Sequence, residues 1–364
     1  MSEQQRSRAA QEPGSDAGLM ASEGHVLEGV RILEISAIGP VPWGVNLLVD
    51  MGATVTRICR PPTGKEPVKP HDAISERGRN DVYIDLKSDK GRAQAQQLIK
   101  SHEVLIEGMR PGVMERLGLA PADCQAVNPG LVYARVTGWG QEGPLAQRAG
   151  HDINYIALSG ALHAIGPQDG PPTIPLNLVG DYGGGGAFMI IGVLGALLRA
   201  RTTGRGSVID IAMLDGAARQ MGLVYERFGQ GIWADKRGSN PLDGGAPWYA
   251  VYPAQCGGHM AVGAIEPPFY QQFIEGLGLD EASLPAREDR DNWPALREQF
   301  AERFLTRTRD QWAEIFDPLD ACVSPVLSVE EAPRHPHNQA REAFLRTANG
   351  AFQPGPAPRF GPLA

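Results

Sequence analysis

Cysteine is scarce in this chain, and its placement excludes two structural uses. Only Cys59, Cys124, Cys256 and Cys322 occur, far apart and with no C-x-x-C pair. That argues against a structural zinc site and against a disulfide framework. A reducing cytoplasm is the expected location. Long hydrophobic runs are also lacking: Ala187–Leu198, the most apolar stretch, is interrupted by Gly192 and Gly195 and falls short of the ~20 residues that span a bilayer. A buried helix is expected there, and no membrane insertion. Met1–Gly24 has no apolar core of the kind a signal peptide carries and reads as a polar, disordered tail. Positive charge is not in excess. The formal net charge of -8 leaves no basic footprint for nucleic acid, so any anionic ligand must be met by arginines gathered locally.

Two phosphate-binding signatures are missing as well. No G-x-x-x-x-G-K-[ST] occurs, and the turn Ser36–Gly44 does not read G-x-G-x-x-G. The run Gly183–Gly186 precedes a helix and leaves two readings open, close approach of a ligand or tight packing against a neighbouring element.

What is present is a chain of 364 residues, 42% hydrophobic, enough for a large core and two or three domains. Strand-like Arg31–Ile35, an apolar helix from Pro42 to Met51 and strand-like Thr54–Ile58 begin a β-α-β alternation. It continues through Val82–Asp85, helical Lys90–Ile99, Val104–Glu107, Leu131–Thr137 and Ser207–Ala212. This is the pattern of an α/β fold with a doubly wound, mainly parallel sheet, a Rossmann-like large domain whose ligand sits beyond the strand carboxyl ends. After Asp215 come a helical stretch to about Gly229, Gly/Pro-rich turns at Gly238–Pro247 and the strand-like pair Trp248–Tyr252 and His259–Ala264. Helices are predicted at Pro268–Leu277, Trp293–Thr306 and Arg309–Phe316. The expected division is a tail at 1–25, a large α/β domain at 26–215, a helical linker at 216–241, a small α+β domain at 242–335, and a C-terminal return to the large domain at 336–364.

Three segments carry a family resemblance: Leu27-Glu28-Gly29-Val30-Arg31-Ile32-Leu33-Glu34; Arg110-Pro111-Gly112 with Glu115-Arg116-Leu117-Gly118-Leu119; and Gly138-Trp139-Gly140-Gln141-Glu142-Gly143-Pro144. Together they resemble the class III CoA-transferase (CaiB/BaiF) superfamily, from about Val26 to Phe360. Gly150-His151-Asp152-Ile153-Asn154-Tyr155, Gly180-Asp181-Tyr182-Gly183-Gly184 and Gly263-Ala264-Ile265-Glu266-Pro267 are similar to its α-methylacyl-CoA racemase branch. In the transferase branch an aspartate at the position of Asp181 is a nucleophile, so Asp181 alone does not discriminate. The pair His151 and Glu266 does.

The resemblance implies an acyl-CoA thioester as substrate, racemisation at its α-carbon without metal or redox cofactor, and an interlocked homodimer. Racemisation requires proton removal on one face and delivery on the other. An imidazole with a pKa near ~6.5 and a carboxyl raised by burial suit the two roles, which fall to His151 and Asp181. Glu266, by resemblance, pairs with His151 from the small domain and orients it. A mismatch of ~10 pKa units would leave roughly 14 kcal/mol to be found, so the enolate oxygen must be stabilised. Asp152 stands where an N-cap would, before a helix at Ile153–Leu162, and its amide is assigned that contact by resemblance.

For CoA, Arg57, Arg60, Arg77, Arg79, Arg110 and Arg116 all fall near predicted strand ends. Carrying the family's positions over, the site is lined by Arg60, Ile84, Asp85, Leu86, Lys87, Gly108, Met109, Arg110, Arg116 and the loop Gly150 to Asn154 and Tyr155. Met109 departs from the usual aromatic and Asn80 from the usual basic residue. Met189, Met213 and Met221 are candidates for a flexible acyl surface or for plain core. His163 and His259 are expected to be structural or exposed. Two other readings compete: CoA transfer between carboxylic acids through an acyl anhydride on Asp181, and a non-catalytic acyl-CoA binding protein.

Overall fold

Apolar side chains alternate along the first strands, so each strand sends residues to both faces and needs cover on both. In the computed structural model, which describes residues 25–62, 77–255, 257–347 and 350–361, helices supply that cover. The expected tail lies almost wholly outside the described residues, as does Cys256. The large unit runs β1 (Arg31–Ile35), α1 (Pro40–Asp50), β2 (Thr54–Cys59), β3 (Arg79–Tyr83), α2 (Asp89–Ser101), β4 (Val104–Glu107), α3 (Val113–Arg116), α4 (Pro121–Val127) and β5 (Val132–Thr137). Then follow α5 (Asp152–Leu158), α6 (Ala161–Ala164), a π-helical segment Leu178–Ala187, α7 (Phe188–Thr203), β6 (Ser207–Ala212), α8 (Met213–Gln220) and α9 (Gly222–Gly229).

The sheet order is β3-β2-β1-β4-β5-β6, with every pair parallel. This is the doubly wound α/β arrangement expected. Ile32, Val104, Ile106, Val132, Ala134 and Val136 pack under α1 and α7. Leu33, Leu105 and Tyr133 point the other way, onto Ala95 and Ile99 of α2. Local chemistry sets the helix starts: Gly39 at φ 68 turns the chain into Pro40 at the head of α1, and the Ser88 hydroxyl caps α2 by accepting the Gly91 N–H.

A second core is built from later residues alone. β7 (Tyr249–Pro253), β8 (His259–Gly263) and β9 (Val323–Pro325) form an antiparallel sheet, with α10 (Pro267–Leu277), α11 (Trp293–Phe304) and α12 (Arg309–Phe316) between β8 and β9. Tyr252, Phe273, Phe300, Phe304, Trp312 and Phe316 fill it. The chain ends with α13 (Pro336–Ala340) and a ribbon of β10 (Phe344–Arg346) and β11 (Phe352–Pro354).

Three expectations need correction. The third strand begins at Arg79, so Arg79 and Asn80 lie inside it. The helix expected at Ile153–Leu162 breaks in two, because Gly160 takes φ 84 and restarts it. The apolar helix continues unbroken from the π-helical segment, and Leu178–Thr203 is long and apolar enough, by length and composition, to cross a membrane. Its buried face, Met189, Ile190, Val193 and Leu197, packs on the sheet, as the core helix of an α/β layer does.

Candidate active site

The strand order reverses between β1 and β4, which opens a crevice at their carboxyl ends. Gly108, just past β4, lies so close to the turn after β1 that a Cβ there would stand 3.2 Å from Ala37 Cβ. The six candidate arginines divide into two groups around this edge. Arg57 is bound by Asp81 at 2.8 Å, Arg77 by Asp50 at 2.5 Å, and Arg79, wholly buried, by Glu34 at 2.6 Å. Arg79 also donates to Pro42 O at 2.8 Å, so these three guanidinium groups serve the fold. Arg60, Arg110 and Arg116 are exposed and form no ion pair among the described residues. They follow β2 and β4 and remain free to meet phosphate.

The other CoA positions contribute unevenly. Ile84 is buried in the core beneath the sheet, so it offers backbone and not side chain. Asp85 accepts the Lys87 N–H at 3.0 Å in an exposed turn that leads into α2. Leu86 and Met109 pack at the margin of that core. Below Met109 lies a network absent from the sequence reading: Glu107, fully buried, accepts the Met109 N–H at 2.6 Å and Arg135 at 3.0 Å. Arg135 reaches Glu115 at 2.9 Å as well. Burial raises the Glu107 pKa, while Met109 N–H and Arg135 pull it back. The signal was an ionisable residue inside an otherwise apolar strand, visible in Val104-Leu105-Ile106-Glu107 and Val132-Tyr133-Ala134-Arg135.

The candidate acid–base groups lie on two further segments. His151 is exposed and is itself the N-cap of α5; Asp152 is the first helical residue, not the cap expected. The Asn154 side chain accepts the His151 N–H at 3.0 Å, and the Tyr155 hydroxyl donates to Gly150 O at 2.5 Å. Tyr155 meets Trp139 edge-on at 4.8 Å, and a Cβ at Gly150 would collide with both rings. Burial, then the charges of Asp181 and Asp152, push the Tyr155 hydroxyl up to about 12. Tyr155 therefore shapes the loop and stays neutral.

Asp181 sits in the π-helical segment, a departure from regular helix that often marks function. Its Oδ2 accepts from Asn177 at 3.3 Å and lies 3.5 Å from where a Cβ of Gly39 would be, which places it at the turn after β1. Tyr182 stacks on Trp43 at 5.0 Å and fixes the segment against α1. Burial raises the Asp181 pKa; Asn177 opposes it, the Asp152 charge adds to it, and His151 lowers it. The Asp152 Oδ2 accepts the N–H groups of Gly180 and Asp181, both at 2.7 Å. The structure thus brings His151, Asp152 and Asp181 together.

The glycine run is a packing device. A Cβ at Gly184 would stand 2.9 Å from Ala217 N, and one at Gly185 2.9 Å from Pro40 Cβ, so the glycines seat the segment between α1 and α8. Of the methionines, Met189 and Met213 are core; Met221 lines a cavity of about 300 Å3 with Tyr225, Phe228 and Trp233. His163 pairs with Asp235 at 3.2 Å, and His259 is exposed at the start of β8. Glu266 is not drawn into the site within this chain: it is exposed at the head of α10 and makes no ion pair with His151. Among the described residues no group of three or more His, Cys, Asp or Glu is arranged to hold a metal ion.

Fold and site together define a doubly wound α/β protein with a cationic crevice at the strand switch and an imidazole and a raised carboxyl beside it. The CoA-transferase family III model matches residues 27–363, and the chain belongs to that family. It is 42% identical to the alpha-methylacyl-CoA racemase of Homo sapiens over 91% of this chain and 86% of that one. It is 27% identical to the acetyl-CoA:oxalate CoA-transferase of Acetobacter aceti, over 90% of this chain and 87% of that one. A CaiB/BaiF family protein from Brucella suis shares the fold with a TM-score of 0.77, at 23% identity and 92% coverage of both chains.

Proposed function

We propose that this protein is an isomerase that interconverts the (2R) and (2S) forms of 2-methylacyl-CoA thioesters, or of related 2-arylpropanoyl-CoA thioesters. The observation that carries the reading is Asp181, whose pKa burial raises, beside the exposed His151. Neutral His151 takes the α-proton from one face, and protonated Asp181 gives its proton to the other. The reverse reaction exchanges the roles, and solvent or a reverse turnover resets both groups. A CoA-transferase would use Asp181 as a nucleophile and would need no second acid–base group facing it; His151, close enough to act on Asp181, is such a group. The 42% identity to a named racemase supports the same choice.

In this reading Arg60, Arg110 and Arg116 hold CoA phosphates, the Asp152 amide meets the developing enolate oxygen, and no metal or redox group takes part. We also propose a homodimer in which Glu266 of one subunit orients His151 of the other. Two features support it: the exposed position of Glu266, and exposed Leu158, Leu176, Tyr225 and Phe228 on the large unit.

The test is incubation of a single epimer in D2O with no added carboxylic acid. Deuterium should enter at the α-carbon while the epimers equilibrate, and Asp181→Ala should stop the equilibration. Transfer of CoA to an added carboxylate with no α-deuterium would establish the transferase instead.

A further inference from the structure

Asp152 is 6% exposed, a burial rare for a carboxylate with no cation beside it, and none of the described residues forms an ion pair with it. Its Oδ2 receives two consecutive backbone N–H groups, Gly180 and Asp181, each at 2.7 Å. Its Oδ1 is buried with no partner at all. The approach demands glycine at 180, since a Cβ there would stand 2.6 Å from Asp152 Oδ2. One side chain thus bridges 29 residues of sequence, from the helix start that carries His151 to the segment that carries Asp181.

We propose that the Asp152 carboxylate is a positioning residue: it clasps the Asp181 segment to the His151 helix start, and so sets both the separation and the charge balance of the acid–base pair. The inference rests on the racemase reading and deepens it. Geometry makes the clasp, because two charge-assisted hydrogen bonds to adjacent amides fix the backbone at the reacting residue itself. Charge makes it more than a clasp. After burial and against the pull of Asn177, the Asp152 charge raises the Asp181 pKa, which favours the protonated form that delivers a proton. The unpartnered Oδ1 leaves that charge unneutralised.

Two variants separate the roles. Asp152→Asn keeps an oxygen that accepts both amides and removes the charge; Gly180→Ala keeps the charge and forces the clasp apart. Both are followed by α-deuterium exchange against pH, in the direction in which Asp181 is the base and activity is lost as pH falls. In Asp152→Asn the acid limb should move to lower pH, with thioester KM within about twofold. In Gly180→Ala kcat should fall about tenfold or more, with faster amide exchange across Leu178–Ala187. An unmoved acid limb in Asp152→Asn overturns the charge role. Unchanged kcat in Gly180→Ala overturns the clasp, and loss of melting temperature in both variants with an identical pH profile reduces Asp152 to a structural cap. If Asp152→Asn does not fold, Gly180→Ala decides the clasp, and Asp152→Glu, which keeps the charge and moves it, decides the charge role: an acid limb that stays at the wild-type pH overturns it. Absence of α-deuterium in the unaltered protein would sink the racemase reading instead; amide exchange in Gly180→Ala, unchanged or faster, would then still decide the clasp.

Discussion

Gly216→Ala tests whether packing far from any substrate contact sets the position of Asp181. Gly216 lies in α8 where that helix crosses the π-helical segment, and a methyl at 216 would stand 2.6 Å from the Gly184 Cα. The nearest atom is the Gly184 carbonyl oxygen at 2.1 Å, and ordinary contact begins near 3.4 Å, so the two backbones must part by more than an ångström. No side chain can give way, because the obstacle is main chain. Overpacking of this kind costs about 1–3 kcal/mol. A displacement of about 1 Å at a reacting group is enough to lower a rate about 100-fold. Asp181 is three residues from Gly184 in the same segment, which Tyr182 holds against Trp43 from the other side. The expected outcome is a fall of about 10- to 100-fold in epimerisation, with CoA affinity retained and the melting temperature lowered by a few degrees. Chiral analysis of the thioester, calorimetric titration with CoA and a thermal melt read the three quantities. Wild-type epimerisation together with an unchanged melt would show that the segment absorbs the methyl, and the reasoning would fail.

Three other predictions follow from the same geometry. The raised Asp181 pKa makes the folded protein hold that proton more tightly than the unfolded chain does, so its contribution to stability is full below the unfolded pKa and is lost as pH rises through the folded one. Asp181→Asn should therefore raise the melting temperature at neutral pH and lose that advantage under acid conditions; an equal gain at all pH values would contradict the sign. Arg60→Ala and Arg116→Ala should raise KM more than they lower kcat, whereas Arg79→Ala, which removes the buried ion pair to Glu34 at 2.6 Å, should act on stability and lower the melting temperature. A loss confined to kcat in the first two would remove them from the phosphate site. His151→Ala and Glu266→Ala proteins, unfolded together and refolded as a mixture, should be more active than either alone if the two residues meet across subunits; a mixture no more active than its parts would refute that pairing.

Much of the fold was legible because the large unit repeats one rule. A strand buried on both faces reads as an apolar run, as β4 does, and the edge strand β6 reads as an alternation of apolar and polar residues, so β1, β4 and β6 match their expected limits. Misplacement came where a strand does not look like one. Arg79-Asn80-Asp81 opens β3 with three polar residues, and only pairing with β2 makes it a strand. The candidate acid–base residues His151 and Asp181 could be picked out through motifs, but the use of each arginine could not. Arg57, Arg77 and Arg79 find their carboxylates 24, 27 and 45 residues away, distances at which no local pattern operates. The Asp152 carboxylate was hidden for the same reason, with its amide partners 28 and 29 residues on.

The site can also be weighed by where its carboxylates are neutralised. Glu34 has Arg79, and Glu107 has Arg135; each lies at a strand end that shapes the crevice, and each is held by a cation of its own. Asp152 and Asp181 have none, although one is buried and the other half-buried. Burying two carboxylates side by side without a cation is costly unless one of them keeps a proton. A site selected only for stability would have placed an arginine there, as it did twice within the same sheet. Among the described residues the group whose positive charge acts on Asp181 is His151, which lowers the Asp181 pKa. An imidazole beside a carboxyl whose pKa burial raises is what a two-face proton exchange needs, whereas a fixed guanidinium in its place would favour the ionised Asp181 that suits a nucleophile.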